Sequence, residues 1–147
     1  MPADYRIETD LNLVVVTFSG AVTLAEQIAA LRAYAADPMR DPAHHGLMDF
    51  SDCTMHEHFF EEVQRLAHCI RRTFAGRADS ARRTIYAPDD VTYGVNRMLQ
   101  SLLDGSGLHV EVCRTRAEAL DALPLDRENG AYRAFRATWL APENVAA

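Results

Sequence analysis

Three short apolar stretches of this 147-residue chain run into Thr-x-x-Glu, and an amphipathic stretch follows each one. They are Thr23–Glu26, Thr54–Glu57 and Thr115–Glu118. A Thr in this setting accepts a hydrogen bond from one of the free N–H groups that open a helix. The Glu three residues on reaches back to the cap residue's own N–H. Strand, turn and capped helix, repeated along the chain, describe a layered α/β protein rather than a helical bundle or a β-sandwich.

The segments between the boxes extend the pattern. Tyr5-Arg6-Ile7-Glu8-Thr9 alternates as a half-exposed strand does, and Asp10 to Asn12 make a turn. Leu13-Val14-Val15-Val16-Thr17-Phe18 is apolar at both parities, so it predicts a strand covered on both faces. After Thr23, Leu24, Ile28, Leu31 and Ala35 share one helical stripe, and Asp37-Pro38 ends that helix. Gly46 to Phe50 reads as a third strand, followed by the clearest periodicity in the chain: Phe59, Val63, Leu66, Ile70 and Phe74. A fourth strand spans Arg82 to Ala87. Pro88, Asp89 and Asp90 then open a helix whose buried face is predicted at Val91, Val95, Met98 and Leu102. Leu108, Val110 and Val112 alternate with polar residues, as on an edge strand, before the Thr115 helix. Beyond residue 124, Tyr132, Phe135 and Trp139 fall on one side of a helix that Pro142 is expected to stop. The expected order is β-β-α-β-α-β-α-β-α in one domain, with a core at about 5–123 and a helical extension at about 126–141.

Charge and residue usage exclude several activities. All 15 cations are Arg. Without Lys the chain cannot build a Schiff-base or pyridoxal-phosphate site, nor a phosphate-loop Lys. A net charge of −6 opposes nucleic-acid binding. No apolar run approaches the roughly 20 residues of a membrane span. The first residues lack the basic and apolar regions of a secretion signal, so a cytoplasmic location is expected. Cys53, Cys69 and Cys113 have no paired spacing, which suits free thiols.

The densest set of metal-ligand side chains is Cys53-x-x-His56-Glu57-His58, placed at the carboxyl end of the third strand, where open α/β sheets carry their sites. Zinc would need three or four of these groups to converge. His56 and His58 point together only in extended chain, and Cys53 with His56 lacks an orienting third group for nucleophilic chemistry. The adjacent carboxylates Asp49/Asp52 and Asp89/Asp90 read as solvated caps. Acidic residues already occupy each predicted helix start, which disfavours a phosphate there. Arg71, Arg72, Arg77, Arg82 and Arg83 crowd one turn. The first two suit a helix carboxyl end, and Arg77 and Arg82 are candidates for docking an acidic partner.

Leu47-Met48-Asp49-Phe50-Ser51, with Ser19-Gly20-Ala21-Val22-Thr23, Ala87-Pro88-Asp89-Asp90 and Ala117-Glu118-Ala119-Leu120, resembles the STAS domain (sulfate transporter and anti-sigma-factor antagonist), in particular its stand-alone SpoIIAA-like members. The resemblance covers about residues 5–123. It implies strands in sequential order in a mixed, mostly parallel five-stranded sheet, crossover helices mainly on one face, and regulatory protein contacts. The family's phosphorylatable Asp-Ser-Ser/Thr-Gly run aligns with Glu57-His58-Phe59-Phe60, which offers no hydroxyl. A kinase switch at that position is therefore not expected.

These readings converge on a non-catalytic STAS-like binding module without a cofactor. Its partner would be another protein, a second copy, or a small apolar ligand. Tyr132, Phe135 and Trp139 would cover the sheet face left bare by the crossover helices, either within the chain or across a homodimer. The competing readings are a metal protein or small enzyme centred on Cys53, His56 and His58, and carriage of a lipid or apolar molecule between the sheet and the last helix.

Overall fold

The computed structural model describes residues 3–55, 60–76 and 80–146. Five strands, β1 (Ala3–Glu8), β2 (Leu13–Ala21), β3 (His45–Thr54), β4 (Arg82–Tyr86) and β5 (His109–Cys113), lie side by side in sequential order. The β1–β2 pair is antiparallel and every later pair is parallel. The hairpin turns through a short 3-10 segment, Thr9–Leu11, and Asn12 closes it at φ 54°. Asn tolerates this left-handed conformation better than most residues, and its side chain donates to the Ala43 carbonyl at 2.8 Å.

Three helices, α1 (Leu24–Ala35), α2 (Phe60–Thr73) and α3 (Asp90–Leu103), connect the parallel strands. Crossovers of one hand between strands added in order must stack on one face, and the three do so. Their core holds Phe18, Phe50, Ile85, Val63, Leu66 and Leu99. The short α4 (Arg116–Asp121) and the final α5 (Gly130–Ala146) cover the opposite face, over Leu13, Val15, Leu47 and Tyr86. Both parities of β2 are thereby buried, as its uninterrupted apolar run requires. The α/β class and the mixed five-stranded sheet follow the sequence expectation.

Two of the three capping boxes cap a helix. Thr23 accepts from Glu26 N–H and Thr115 from Glu118 N–H, each at 3.2 Å. The third does not. Thr54 is the last residue of β3 and Met55 is not helical, while α2 is described from Phe60 onward. Glu57, the box's other member, lies outside the described residues.

The register explains this difference. Thr17 pairs with Asp49 but Ser19 pairs with Asp52, so β3 carries one extra residue there. Such a bulge turns the following side chains to the other face. Phe50 and Cys53, an odd number of positions apart, consequently enter the same core. The extended segment continues to Thr54 instead of yielding to a helix.

Two further expectations are corrected. On α3 the buried residues are Thr92, Val95, Asn96, Leu99 and Leu103, while Val91 is exposed. The helix is therefore rotated toward its polar Thr and Asn. Pro142 does not end the last helix: α5 runs through it to Ala146. Beside Pro142 the Glu143 carboxylate accepts the backbone N–H of Arg116, which ties the turn down from outside.

The aromatic stripe of α5 packs on its own sheet. Tyr132 and Trp139 are buried, and Phe135 is half-buried and stacked on Trp139. Trp139→Ala is expected to lower stability by about 3–5 kcal/mol, as for large aromatic truncations in cores. Phe60→Ala, at an exposed position, is expected to change it by less than about 0.5 kcal/mol. Urea unfolding of both variants against the parent chain measures the two.

Candidate functional site

The carboxyl end of the sheet holds a polar knot. Arg116, the first residue of α4, points its guanidinium back beneath α5. One nitrogen donates to Ser51 Oγ at 3.0 Å; the other donates to the Trp139 carbonyl at 3.3 Å and lies 3.9 Å from Asp49 Oδ2. The rings of Trp139 and Tyr86 flank the guanidinium, their centroids 4.4 and 4.9 Å away. Trp139 returns a bond from its indole N–H to the Arg116 carbonyl at 2.9 Å. Asp49 Oδ1 in turn accepts the Ser51 N–H at 2.9 Å. Burial pushes the Tyr86 phenol above its ordinary pKa, with Arg116 pulling the other way.

Asp49 was expected to be a solvated cap, and it is buried. The ion pair binds the end of β3 to α4 and α5, and both side chains are largely buried. Asp89 does cap α3, accepting both the backbone N–H and the hydroxyl of Thr92, and Asp90 pairs with Arg114 at the surface.

A different place is open. Between the sheet and α1–α3 lies a cavity of about 60 Å³. Val16, Phe18, Met48, Phe50 and Ile85 form its floor; Leu31, Leu66, Ile70 and Leu99 belong to its roof. Phe18 stacks on Phe50 with centroids 4.3 Å apart, which makes that wall rigid. Only three of the sixteen lining residues are polar: Gln27, Arg83 and Asn96.

Two of these three are engaged with the protein. The Asn96 amide donates to the Thr92 carbonyl at 2.9 Å, and the Arg83 guanidinium lies over the Phe74 ring at 3.2 Å. Gln27 differs. Its residue is only 5% exposed, and its Nε2 has no hydrogen-bond partner among the described residues. An unpaired buried amide costs about 1–3 kcal/mol, and a void beside it adds to that cost.

Gln27 and Asn96 were not singled out from the sequence, and Arg83 was named only within the crowded Arg turn, although a signal existed. Gln27 follows Leu24 by three and precedes Leu31 by four, so a polar amide sits within an apolar stripe. Asn96 stands likewise between Thr92 and Leu99, and Arg83 alternates in phase with Ile85.

The residues singled out from the sequence are dispersed. Cys53 is buried in the helix-side core, where its thiol donates to the Phe50 carbonyl at 3.3 Å. Burial, then the carboxylates Asp89, Asp49 and Asp52, push it up to about 11. A protonated thiol is a poor metal ligand and a poor nucleophile. His56 and His58 lie outside the described residues, as does Arg77. Among the described residues no three His, Cys, Asp or Glu side chains are placed to hold a metal ion. Arg82 lies at the amino end of β4, where its backbone N–H donates to His45 Nδ1 at 3.0 Å. Tyr132, Phe135 and Trp139 contribute to the α5-side core, as described above.

No protein-family model matches the chain, and no curated protein sequence does. No described helix is long and apolar enough to cross a membrane.

Two stability predictions follow from the polar contacts. Arg116→Met leaves Asp49 buried opposite no cation and is expected to cost about 3–5 kcal/mol. Adding Asp49→Asn should recover part of that loss, giving a coupling of about 0.5–3 kcal/mol in a double-mutant cycle read by urea unfolding.

The second concerns pH. His44 shares a 2.8 Å hydrogen bond with the Tyr34 hydroxyl, and His45 accepts from Arg82 N–H. Both imidazoles are held below their usual pKa. Burial is the main cause for each, opposed at His44 by Asp41 and reinforced at His45 by Arg82, His44 and Arg83. The unfolded chain therefore binds more protons than the folded one over the interval between the two pKa values. Their contribution to stability is complete above pH of about 6.5 and is lost as pH falls through that value toward the folded ones. His45→Asn keeps an acceptor near Nδ1 without the titration, and should flatten the fall in urea midpoint between pH 7.5 and 5.

Proposed function

We propose that this chain is a non-catalytic binding module, and that it takes a small, mainly apolar ligand into the cavity between the sheet and α1–α3. The observation that carries this reading is the cavity itself, about 60 Å³ between the sheet and the three crossover helices. Protein interiors pack as densely as organic crystals, and voids larger than a water molecule are few. Apolar cavities of this kind stay dry and accept molecules such as xenon or benzene when large enough.

This reading moves the apolar ligand away from the place the sequence suggested. The space between the sheet and the last helix is filled by Tyr86, Tyr132, Trp139, Leu120 and Leu123. The STAS resemblance supports a regulatory role around such binding, and the sequential strand order agrees with it. The protein contacts it implies would use the exposed Phe60 and Val91, in the first turns of α2 and α3.

Xenon tests the cavity without any polar contact. Pressurised crystals, or xenon-129 NMR in solution, are expected to show one occupied site lined by Phe18, Leu66 and Leu99. Thermal stability should rise with xenon pressure by mass action. Ala30→Leu, which extends a lining side chain into the space, is expected to abolish both effects. No xenon at this site, or an undiminished response in Ala30→Leu, would overturn the reading.

A further inference from the structure

The cavity is not uniformly apolar, and one donor of its lining, the Gln27 side-chain amide, narrows what it can hold. Resting on the binding reading above, we infer that the ligand is a neutral molecule with a compact apolar body and one oxygen acceptor, taken by the side-chain amide of Gln27.

Size comes first. A void of about 10–15 Å³ on this measure admits one water, so 60 Å³ holds a body of about four to six non-hydrogen atoms. A long acyl chain does not fit.

Polarity comes second. Gln27 sits on the first half of α1, between the buried Leu24 and the half-buried Leu31, and lines the cavity with its Nε2 unpaired among the described residues. A buried N–H of this kind calls for an acceptor, and none of the described residues accepts from Nε2. A pure hydrocarbon would fill the volume and leave the amide unsatisfied. A ketone, aldehyde, ester or ether oxygen would satisfy it.

Charge comes third. The Gln27 donor is a neutral amide, which suits a neutral acceptor. A carboxylate placed among thirteen apolar lining residues would carry a large desolvation cost. The Arg83 guanidinium, a cation of the lining, lies over the Phe74 ring with its carbon 3.2 Å from the centroid.

Three planar molecules of equal size and nearly equal shape separate these points: isobutene, acetone and acetate. They differ only in presenting no acceptor, a neutral acceptor or an anionic one. Titrations of the full chain, followed by NMR, are to be read in parallel with xenon binding. In Gln27→Leu, affinity for acetone is expected to fall about 3- to 10-fold relative to the change for isobutene, the size of one net hydrogen bond. Xenon and isobutene should bind the variant at least as well as the parent. In the unsubstituted chain the Gln27 side-chain NH₂ resonances should move with acetone and stay nearly still with isobutene, a readout that does not depend on the variant folding.

If xenon enters but Gln27→Leu treats acetone and isobutene alike, or the NH₂ signals ignore acetone, the assignment of Gln27 is wrong and the cavity reading stands. If acetate binds more tightly than acetone, the neutral assignment is wrong. If xenon, acetone and isobutene all fail to enter, both the ligand class and the binding reading fall.

Discussion

One guanidinium joins the two ends of this chain's architecture. Arg116 stands where β5 gives way to α4, and it reaches Ser51 and Asp49 at the end of β3 and the Trp139 carbonyl on α5. A lysine ammonium could not lie flat between the rings of Tyr86 and Trp139 while donating in two directions; the planar fork of Arg can. The net stabilisation from a buried ion pair is small, because removing both charges from water offsets most of their attraction. Its value here is geometric. With Trp139 bonded back to the Arg116 carbonyl and Glu143 to its N–H, the last helix has one register on the sheet.

That clamp explains why the two sides of the sheet differ. On the α5 side, fully buried Leu13, Leu47, Leu120 and Leu123 meet large aromatics, so the layer closes. On the other side α1 presents Gln27, Ala30 and Leu31 to a floor whose rings are already stacked on each other. Small and polar side chains above rigid ones leave a gap that neither layer can collapse into. The gap lies on the side away from the clamp, so a change in its occupancy need not disturb α5.

The strands and helices were legible in the sequence wherever the period and the caps agreed. Val63, Leu66, Ile70 and Phe74 keep the predicted face of α2, and Thr23 and Thr115 cap as expected. Thr54 misled because a capping box is a local signal, whereas the bulge that prolongs β3 depends on how β2 pairs with it. The face of α3 was misassigned for a related reason. Hydrophobicity favoured Val91 over Thr92, but the cap bond from Thr92 to Asp89 draws the threonine inward. Asp49 looked solvated because its cation lies 67 positions away in the chain, beyond the reach of any periodic pattern. The cavity was invisible for a deeper reason: a void belongs to no residue, and only the polar side chain at its border leaves a trace in the sequence.

The state of the reactive groups bears on the proposed binding reading, as the cavity does. A thiol pushed up to about 11 is almost wholly protonated near neutral pH, and Cys113 stands at a similar value for the same main reason, burial. His44 and His45 engage Tyr34 and the β4 backbone through Nδ1, and neither is among the residues that line the cavity. Among the described residues, those that line the cavity carry no hydroxyl, thiol or carboxylate. On that reading, a molecule held there would meet thirteen apolar side chains and the amide and guanidinium groups of Gln27, Asn96 and Arg83.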